Sequence, residues 1–327
     1  MAIRGQHNLI TDVAGLSVGH AEDVGVSTGV SVLVPDDRAV CAVHVAGGGP
    51  GTRETDALKA GTLVDEIDAL VLAGGSVYGL AAADSVVSEL GASGRGFALR
   101  EAPGVPKSPV VPAAILYDLA NGGNKDWGRE PPYQTLGREA FANLGGYFEL
   151  GRTGAGYGAM AGSRQGGLGS ASIVTDDGYT VGAMVAVNSF GSVTVPGSEA
   201  YWAAPYEIDD EFGGIPVPAH AGFDPEDWGE AKANPAPRQN TTIAIVATDA
   251  VLTPSEAQRF ADMSVAGLAR AIRPVFAPFD GDVVYALSTG QKLLSEPKPF
   301  TLARLGELGA SCLARAVARG VHAANSD

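Results

Sequence analysis

Cysteine is nearly absent from this chain: Cys41 and Cys312 are the only two among 327 residues. Two thiols do not make a disulfide scaffold, and a reducing, cytoplasmic setting is the expectation. Histidine is scarce as well. His7, His20, His44, His220 and His322 are scattered, no two stand at metal-ligand spacing, and neither Cys-x-x-Cys nor His-Glu-x-x-His occurs, so no metal centre is expected. Long apolar runs are missing too. None reaches the roughly 18 residues a membrane helix requires, and residues 1–7 lack the apolar core of a secretory signal. Basic residues are outnumbered, 22 against 37 acidic ones, for a net charge of −15. That balance opposes nucleic acid and anionic membrane as partners and favours solubility. No Gly-x-x-x-x-Gly-Lys-Ser/Thr is present, so no nucleotide phosphate loop and no cofactor are expected.

Glycine, by contrast, is abundant: 45 residues. It follows no three-residue period, which excludes collagen, and it clusters between apolar runs, where loops bring backbone amides close to a ligand or another chain. Hydrophobic residues make up 45% and charged ones 18%, a globular composition. Short runs rich in Val, Ile and Ala predict strands at 30–34, 40–45, 69–72, 172–174, 181–187, 242–248 and 283–287. They are mostly continuous rather than alternating, as in strands covered on both faces. Helical patterns cover 78–90, 254–272, with Ser255 read as N-cap, and 301–323. The whole reads as α/β, with buried sheet inside and helices outside.

Gly-x-Ser-x-Gly occurs at 15–19 and at 25–29. A nucleophile elbow needs a strand before the Ser and a helix after it, and neither match is followed by a helical pattern, so both read as loops. Gly154-Ala155-Gly156-Tyr157-Gly158-Ala159 shares only glycine content with a dinucleotide fingerprint and reads as a tight backbone loop. Residues 199–240 differ from the rest. Glu207, Asp209, Asp210, Glu211, Asp224, Glu226, Asp227 and Glu230 make them acidic, and Pro205, Pro216, Pro218, Pro225, Pro235 and Pro237 oppose regular structure. An exposed loop or tail is expected there.

That stretch ends at Asn240, where an apolar β-branched run begins with Thr241. Two readings of the boundary stand. Asn-Thr closes a loop where a strand starts. Alternatively the bond is cut, and Thr241 becomes a terminus whose hydroxyl is a nucleophile and whose own amine is the base.

With Thr241 in view, the chain resembles the family of L-aminopeptidase/D-amidases, β-peptidyl aminopeptidases and endo-type nylon-oligomer hydrolases. The resemblance spans nearly the whole length. It is carried by Gly15-Leu16-Ser17-Val18-Gly19-His20, Gly49-Pro50-Gly51-Thr52-Arg53-Glu54-Thr55-Asp56, Leu72-Ala73-Gly74-Gly75-Ser76-Val77-Tyr78-Gly79-Leu80, Ile115-Leu116-Tyr117-Asp118-Leu119, Gly166-Gly167-Leu168-Gly169-Ser170, Val187-Asn188-Ser189-Phe190-Gly191, Asn240-Thr241-Thr242-Ile243 and Asp280-Gly281-Asp282. Each piece is short; their order and spacing are specific. The resemblance implies an αββα sandwich of the N-terminal-nucleophile type, related to ornithine acetyltransferase, in a single hydrolase domain. It implies self-cleavage between Asn240 and Thr241 into an α chain, 1–240, and a β chain, 241–327, and a homo-oligomer of such pairs.

The resemblance also assigns roles. Thr241 matches the nucleophile, Asn188 and Tyr117 the side chains that bind the oxyanion, and Asp280 and Asp282 the acidic pair beside the nucleophile in nylon-type enzymes. Ser163 stands where those enzymes have Lys, and the segment containing Arg53 and Glu54 is aminopeptidase-like, so the substrate pocket is split between the two branches. Without the resemblance, Asp280-Gly281-Asp282 reads as a turn, Tyr117 as core, and Arg53 and Glu54 as a salt-bridged loop. The implied substrates are short peptides, D- or β-amino acid amides, or aminohexanoate oligomers. The alternatives are acyl transfer of the ornithine acetyltransferase type and a catalytically silent binding protein.

Overall fold

The computed structural model describes residues 2–219, 224, 226–232 and 240–326. All ten residues from Thr241 to Ala250 are buried, and the two-residue period of a strand divides them between two cores. Ile243, Ile245 and Ala247 join one apolar cluster; Ala244, Val246 and Ala250 join another. A strand that is apolar on both faces has to lie between two layers.

The strands in chain order are β1 (Leu16–Asp23), β2 (Thr28–Pro35), β3 (Ala39–Val45), β4 (Thr52–Arg53), β5 (Glu66–Ile67), β6 (Leu70–Ala73), β7 (Ala113–Ile115), β8 (Met160–Ala161), β9 (Arg164–Gln165), β10 (Gly167–Val174), β11 (Thr180–Asn188), β12 (Thr241–Ala250) and β13 (Val283–Lys292). The helices are α1 (Ala82–Ala92), α2 (Tyr133–Ala142), α3 (Pro254–Ser264), α4 (Ala266–Ala271) and α5 (Lys298–Asn325). Five strands form a sheet in the order β1-β2-β6-β7-β4, and six form a second in the order β10-β11-β12-β13-β3-β5. The inner faces meet through Leu33, Leu70 and Leu72 of the first and Met184, Ile245 and Tyr285 of the second. The outer face of the first sheet packs Val30, Val32 and Val71 under α1 and α2. That of the second packs Val185, Val246 and Ala286 under α3, α4 and α5. The layers therefore run α, β, β, α, as the resemblance implies. Most neighbouring strands are antiparallel; β6–β7 and β12–β13 are parallel, each pair bridged by helix.

Several expectations change. The Gly-x-Ser-x-Gly match at 15–19 is not a loop but the start of β1, because β2 supplies eight cross-strand partners from Pro35 to Thr28. The helix over 254–272 breaks at Val265 into two, and its cap is Thr253 rather than Ser255: Thr253 and Glu256 form a reciprocal capping box with Pro254 in the first turn. Glycine is used inside elements as well as in loops. A Cβ on Gly169 of β10 would fall 1.8 Å from the Ala316 carbonyl of α5, so helix and sheet touch backbone to backbone there.

The acidic stretch is not simply an exposed tail. Tyr201 and Phe212 are buried, and Glu211 pairs with the fully buried Arg315 of α5 at 2.5 and 2.8 Å. A buried cation of that kind requires a fixed counter-charge, and Glu211 supplies it. His220, Pro225, Pro235 and Pro237 lie outside the described residues. Among the described residues, no helix is long and apolar enough to cross a membrane.

Candidate active site

Thr241 heads β12, between β11 and β13, and its register partner is Asn188, the last residue of β11. It shares the strand face of Ile243 and Ile245, between the sheets, and is 3% exposed. Its Oγ1 donates to the carbonyl oxygen of Asn240 at 2.6 Å. The same oxygen accepts the main-chain N–H of Gly281 at 2.9 Å. Asn240 and Asp280 form a parallel bridge that carries the β12–β13 pairing one step beyond the strands. Only glycine fits at 281: a Cβ would come within 2.7 Å of both Thr241 Oγ1 and the Gly49 carbonyl. The loop before β4 clasps this turn from the other side, with Gly49 N–H donating to Asp280 O at 2.7 Å and Ala46 N–H to Asp282 O at 2.9 Å.

Asn188 is fully buried and its amide orientation is set by its partners. Oδ1 accepts from Met160 N–H at 2.9 Å and from Asn121 Nδ2 at 3.0 Å, so Nδ2 faces an acceptor, the Tyr117 main-chain carbonyl, at 2.9 Å. One amide hydrogen is left for a second acceptor. Tyr117 thus joins the site through its carbonyl; its side chain is half-buried rather than core. Asn121, which no motif singled out, is part of the same network.

The two carboxylates are buried on the turn beside Thr241. Asp282 Oδ1 accepts the Thr242 N–H at 2.7 Å and Oδ2 the Phe276 N–H at 3.2 Å. Asp280 Oδ2 accepts the Ala277 N–H at 3.1 Å, while its buried Oδ1 has no hydrogen-bond partner. Burial lifts Asp280 above the ordinary carboxylate range, to about 6. Burial, reinforced by the charge of Asp280, lifts Asp282 to about 7. The turn is therefore a pair of carboxyls that take up and release protons near neutrality.

A cation beside Asp280 is Lys232, which sequence reasoning missed. Its Nζ donates to Asn240 Oδ1 at 2.7 Å and lies 3.5 Å from Asn188 Oδ1, and its charge opposes the rise at Asp280. The signal was available: Lys232 is the single lysine of the acidic stretch, eight residues before Thr241's predecessor. Ser163 does not enter the cluster. It is exposed in the turn between β8 and β9, and its N–H donates to the Glu230 carbonyl at 2.8 Å. Next to it, Arg164 grips the Glu230 carboxylate at 2.5 Å. Arg53 and Glu54 pair with each other at 3.6 Å, as in a salt-bridged loop; Arg53 also donates to Asp84 at 2.6 Å, and Glu54 accepts the Val111 N–H at 3.0 Å. Among the described residues, no group of three or more His, Cys, Asp or Glu side chains is placed to hold a metal ion.

An aromatic cluster flanks these residues. Phe190, two positions after Asn188, stacks edge-on against Trp228 at 5.9 Å and Phe279 at 4.8 Å between ring centroids. Trp228 and Phe279 are about half exposed, so the cluster presents an apolar wall to solvent.

The fold defines the class of protein. The chain superposes with a TM-score of 0.72 on the L-aminopeptidase D-Ala-esterase/amidase of Ochrobactrum anthropi, described as a variant of the Ntn hydrolase fold, at 21% identity over 99% of this chain and 88% of that one. A Burkholderia sp. β-aminopeptidase gives 0.71 at 21% identity, over 98% and 88%. Sequence then narrows the class: residues 8–326 match peptidase family S58, and the chain belongs to that family of hydrolases. It is 39% identical over 331 residues to an uncharacterized aminopeptidase of Mycobacterium tuberculosis, covering 96% of this chain and 93% of that one. It is 29% identical over 304 residues to the 6-aminohexanoate-oligomer endohydrolase of Kocuria sp., covering 88% and 76%.

Proposed function

We propose that this hydrolase cuts its own Asn240–Thr241 bond and then uses Thr241 as a terminal nucleophile on short amides. The observation that carries the reading is the Thr241 hydroxyl at 2.6 Å from the oxygen of the carbonyl it would attack, with the Gly281 N–H already on that oxygen. In the first reaction Thr241 Oγ adds to the Asn240 carbonyl carbon and its proton passes to a carboxylate, for which Asp280, with its unpartnered Oδ1, is the candidate. The Gly281 N–H supports the developing oxyanion. The C–N bond breaks, the nitrogen takes a proton, and an ester joins Asn240 to Thr241. Water splits that ester into the Asn240 carboxylate and a free Thr241.

The new α-amino group has an ordinary pKa of about 7.7–8.0, suited to a general base at neutral pH. It takes the Thr241 hydroxyl proton, Oγ attacks the substrate amide, and the remaining Asn188 N–H and the Tyr117 hydroxyl serve the oxyanion. The relatives named above carry the names aminopeptidase, D-Ala-esterase/amidase and 6-aminohexanoate-oligomer endohydrolase, and the aromatic wall of Phe190, Trp228 and Phe279 suits an amide with an apolar chain. A denaturing mass spectrum of the purified protein tests maturation: two fragments meeting at residues 240 and 241 are expected, and Thr241→Ala is expected to stay whole. A T241A chain that still splits at that bond would exclude Thr241 as the agent. A panel of β-amino acid, D-amino acid and aminohexanoate amides then ranks the substrates.

A further inference from the structure

The segment before the scissile bond is held at Glu230 and at Lys232. Glu230 accepts the Ser163 N–H and the Arg164 guanidinium through its carbonyl and carboxylate, and Thr194 Oγ1 donates to the same carboxylate at 3.2 Å. A Cβ on Gly162 would strike the Glu230 carbonyl at 2.3 Å, so close approach is built into the β8–β9 turn. Two residues along, the N–H of Lys232 donates to the Phe190 carbonyl at 2.9 Å. These contacts deliver the lysine side chain to the residue on the acyl side of the bond: Nζ meets Asn240 Oδ1 at 2.7 Å.

We propose that Lys232 is a positioning residue for self-cleavage, acting through the Asn240 side-chain amide to hold the scissile carbonyl against Thr241 Oγ and the Gly281 N–H. The inference rests on the self-processing reading above. An ammonium donating to an amide oxygen makes one of the stronger single hydrogen bonds available to a protein. It acts on a carbonyl one side chain away whose oxygen already has two donors. The bond makes Asn240 a held residue rather than the loose end of a loop, and the hydroxyl–carbonyl contact depends on that hold.

The experiment follows fragment formation by denaturing mass spectrometry in freshly refolded full-length chain. Five proteins are compared: wild type, Lys232→Met, Lys232→Arg, Asn240→Ala and the double variant K232M/N240A, with melting curves confirming that each variant folds. K232M is expected to slow splitting by about 10- to 100-fold, the range for losing a hydrogen bond to a charged group. K232R, which keeps the charge and a donor, is expected to recover most of it. In the N240A background the Lys232 change is expected to lose its effect, because the partner is gone. K232M splitting as fast as wild type, or slowing splitting by the same factor with and without the Asn240 amide, overturns the role of Lys232 while leaving self-processing standing. A wild-type chain that never splits overturns the self-processing reading and this inference with it.

Discussion

Around Thr241 the chemistry is set by which hydrogen bonds burial permits. Asn188 holds its amide in one orientation, with two N–H donors on its oxygen and the Tyr117 carbonyl on its nitrogen, and the remaining N–H is the part available to a substrate oxyanion. Asn188→Ala is expected to lower amide turnover per split molecule by about 10²- to 10³-fold, checked as kcat on protein whose split fraction has been measured by mass spectrometry. The carboxylates give a pH prediction whose sign follows from their direction. Both are raised, so both are largely protonated in acid and gain charge as pH passes through about 6 to 7. A carboxyl that must accept the Thr241 proton works only when ionised. Splitting is therefore expected to be slow at pH 5 and to rise toward pH 8, and Asp280→Asn is expected to remain whole across that range. A rate that is flat from pH 5 to 8 removes Asp280 as the acceptor. The pair Asp280 and Asp282 was legible in the sequence as a motif; Lys232 was not, because its partners Asn188 and Asn240 are 44 and 8 residues away and no spacing rule connects them.

At the level of elements, the central strand β12 is specified by its own composition, since ten consecutive buried positions leave no exposed face. Its neighbours are less self-evident. β1 is half glycine motif by sequence and became a strand only because β2 and the carbonyl-lined surface of α2 receive it; a Cβ on Gly19 would sit 2.1 Å from Ala140 O. The closest contact of this kind is between β10 and α5. Gly169→Ala places a methyl where the Ala316 carbonyl already is. It is expected to lower stability by about 1–3 kcal/mol, read as a fall in melting temperature. The turn before β13 has the same character. Gly281→Ala would press on Thr241 Oγ1 itself, and it is expected to slow splitting even where the protein remains folded, as the fragment time course would show.

Across the whole molecule, a cut at residue 240 would leave the new terminus in the middle of a six-stranded sheet, with β11 from one fragment and β13 from the other on its two sides. The buried ion pair crosses the same divide. Glu211 lies before the cut and Arg315 after it, joined by Asn8, whose Oδ1 accepts from Arg315 at 2.9 Å. The two fragments are therefore expected to stay together on native gels and size-exclusion columns and to separate only in denaturant. Glu211→Ala leaves Arg315 buried without its counter-charge, and about 3–5 kcal/mol of stability is expected to be lost. Urea titration of the split protein, followed by native mass spectrometry, measures it. Intact complexes that survive to the wild-type urea concentration would show that the pair contributes nothing to holding the halves.

What the sequence determined by itself was the layered α/β plan, because apolar runs without alternation have to be covered on both faces, and the break at Asn240–Thr241, because a change of composition is a local property. The order of the family-like segments marked Asn188, Tyr117, Asp280 and Asp282 for the same reason: each sits in a short contiguous motif. Only the tertiary structure decided how those pieces meet. It brought Tyr117 to Asn188 through a main-chain carbonyl, placed Gly281 N–H on the Asn240 oxygen, folded part of the acidic stretch onto a buried arginine, joined Arg53 to Asp84 of α1 and delivered Lys232 to the scissile residue. Each of those outcomes depends on strand register and on backbone approach across a turn or between layers, and neither is encoded in the neighbourhood of any one residue.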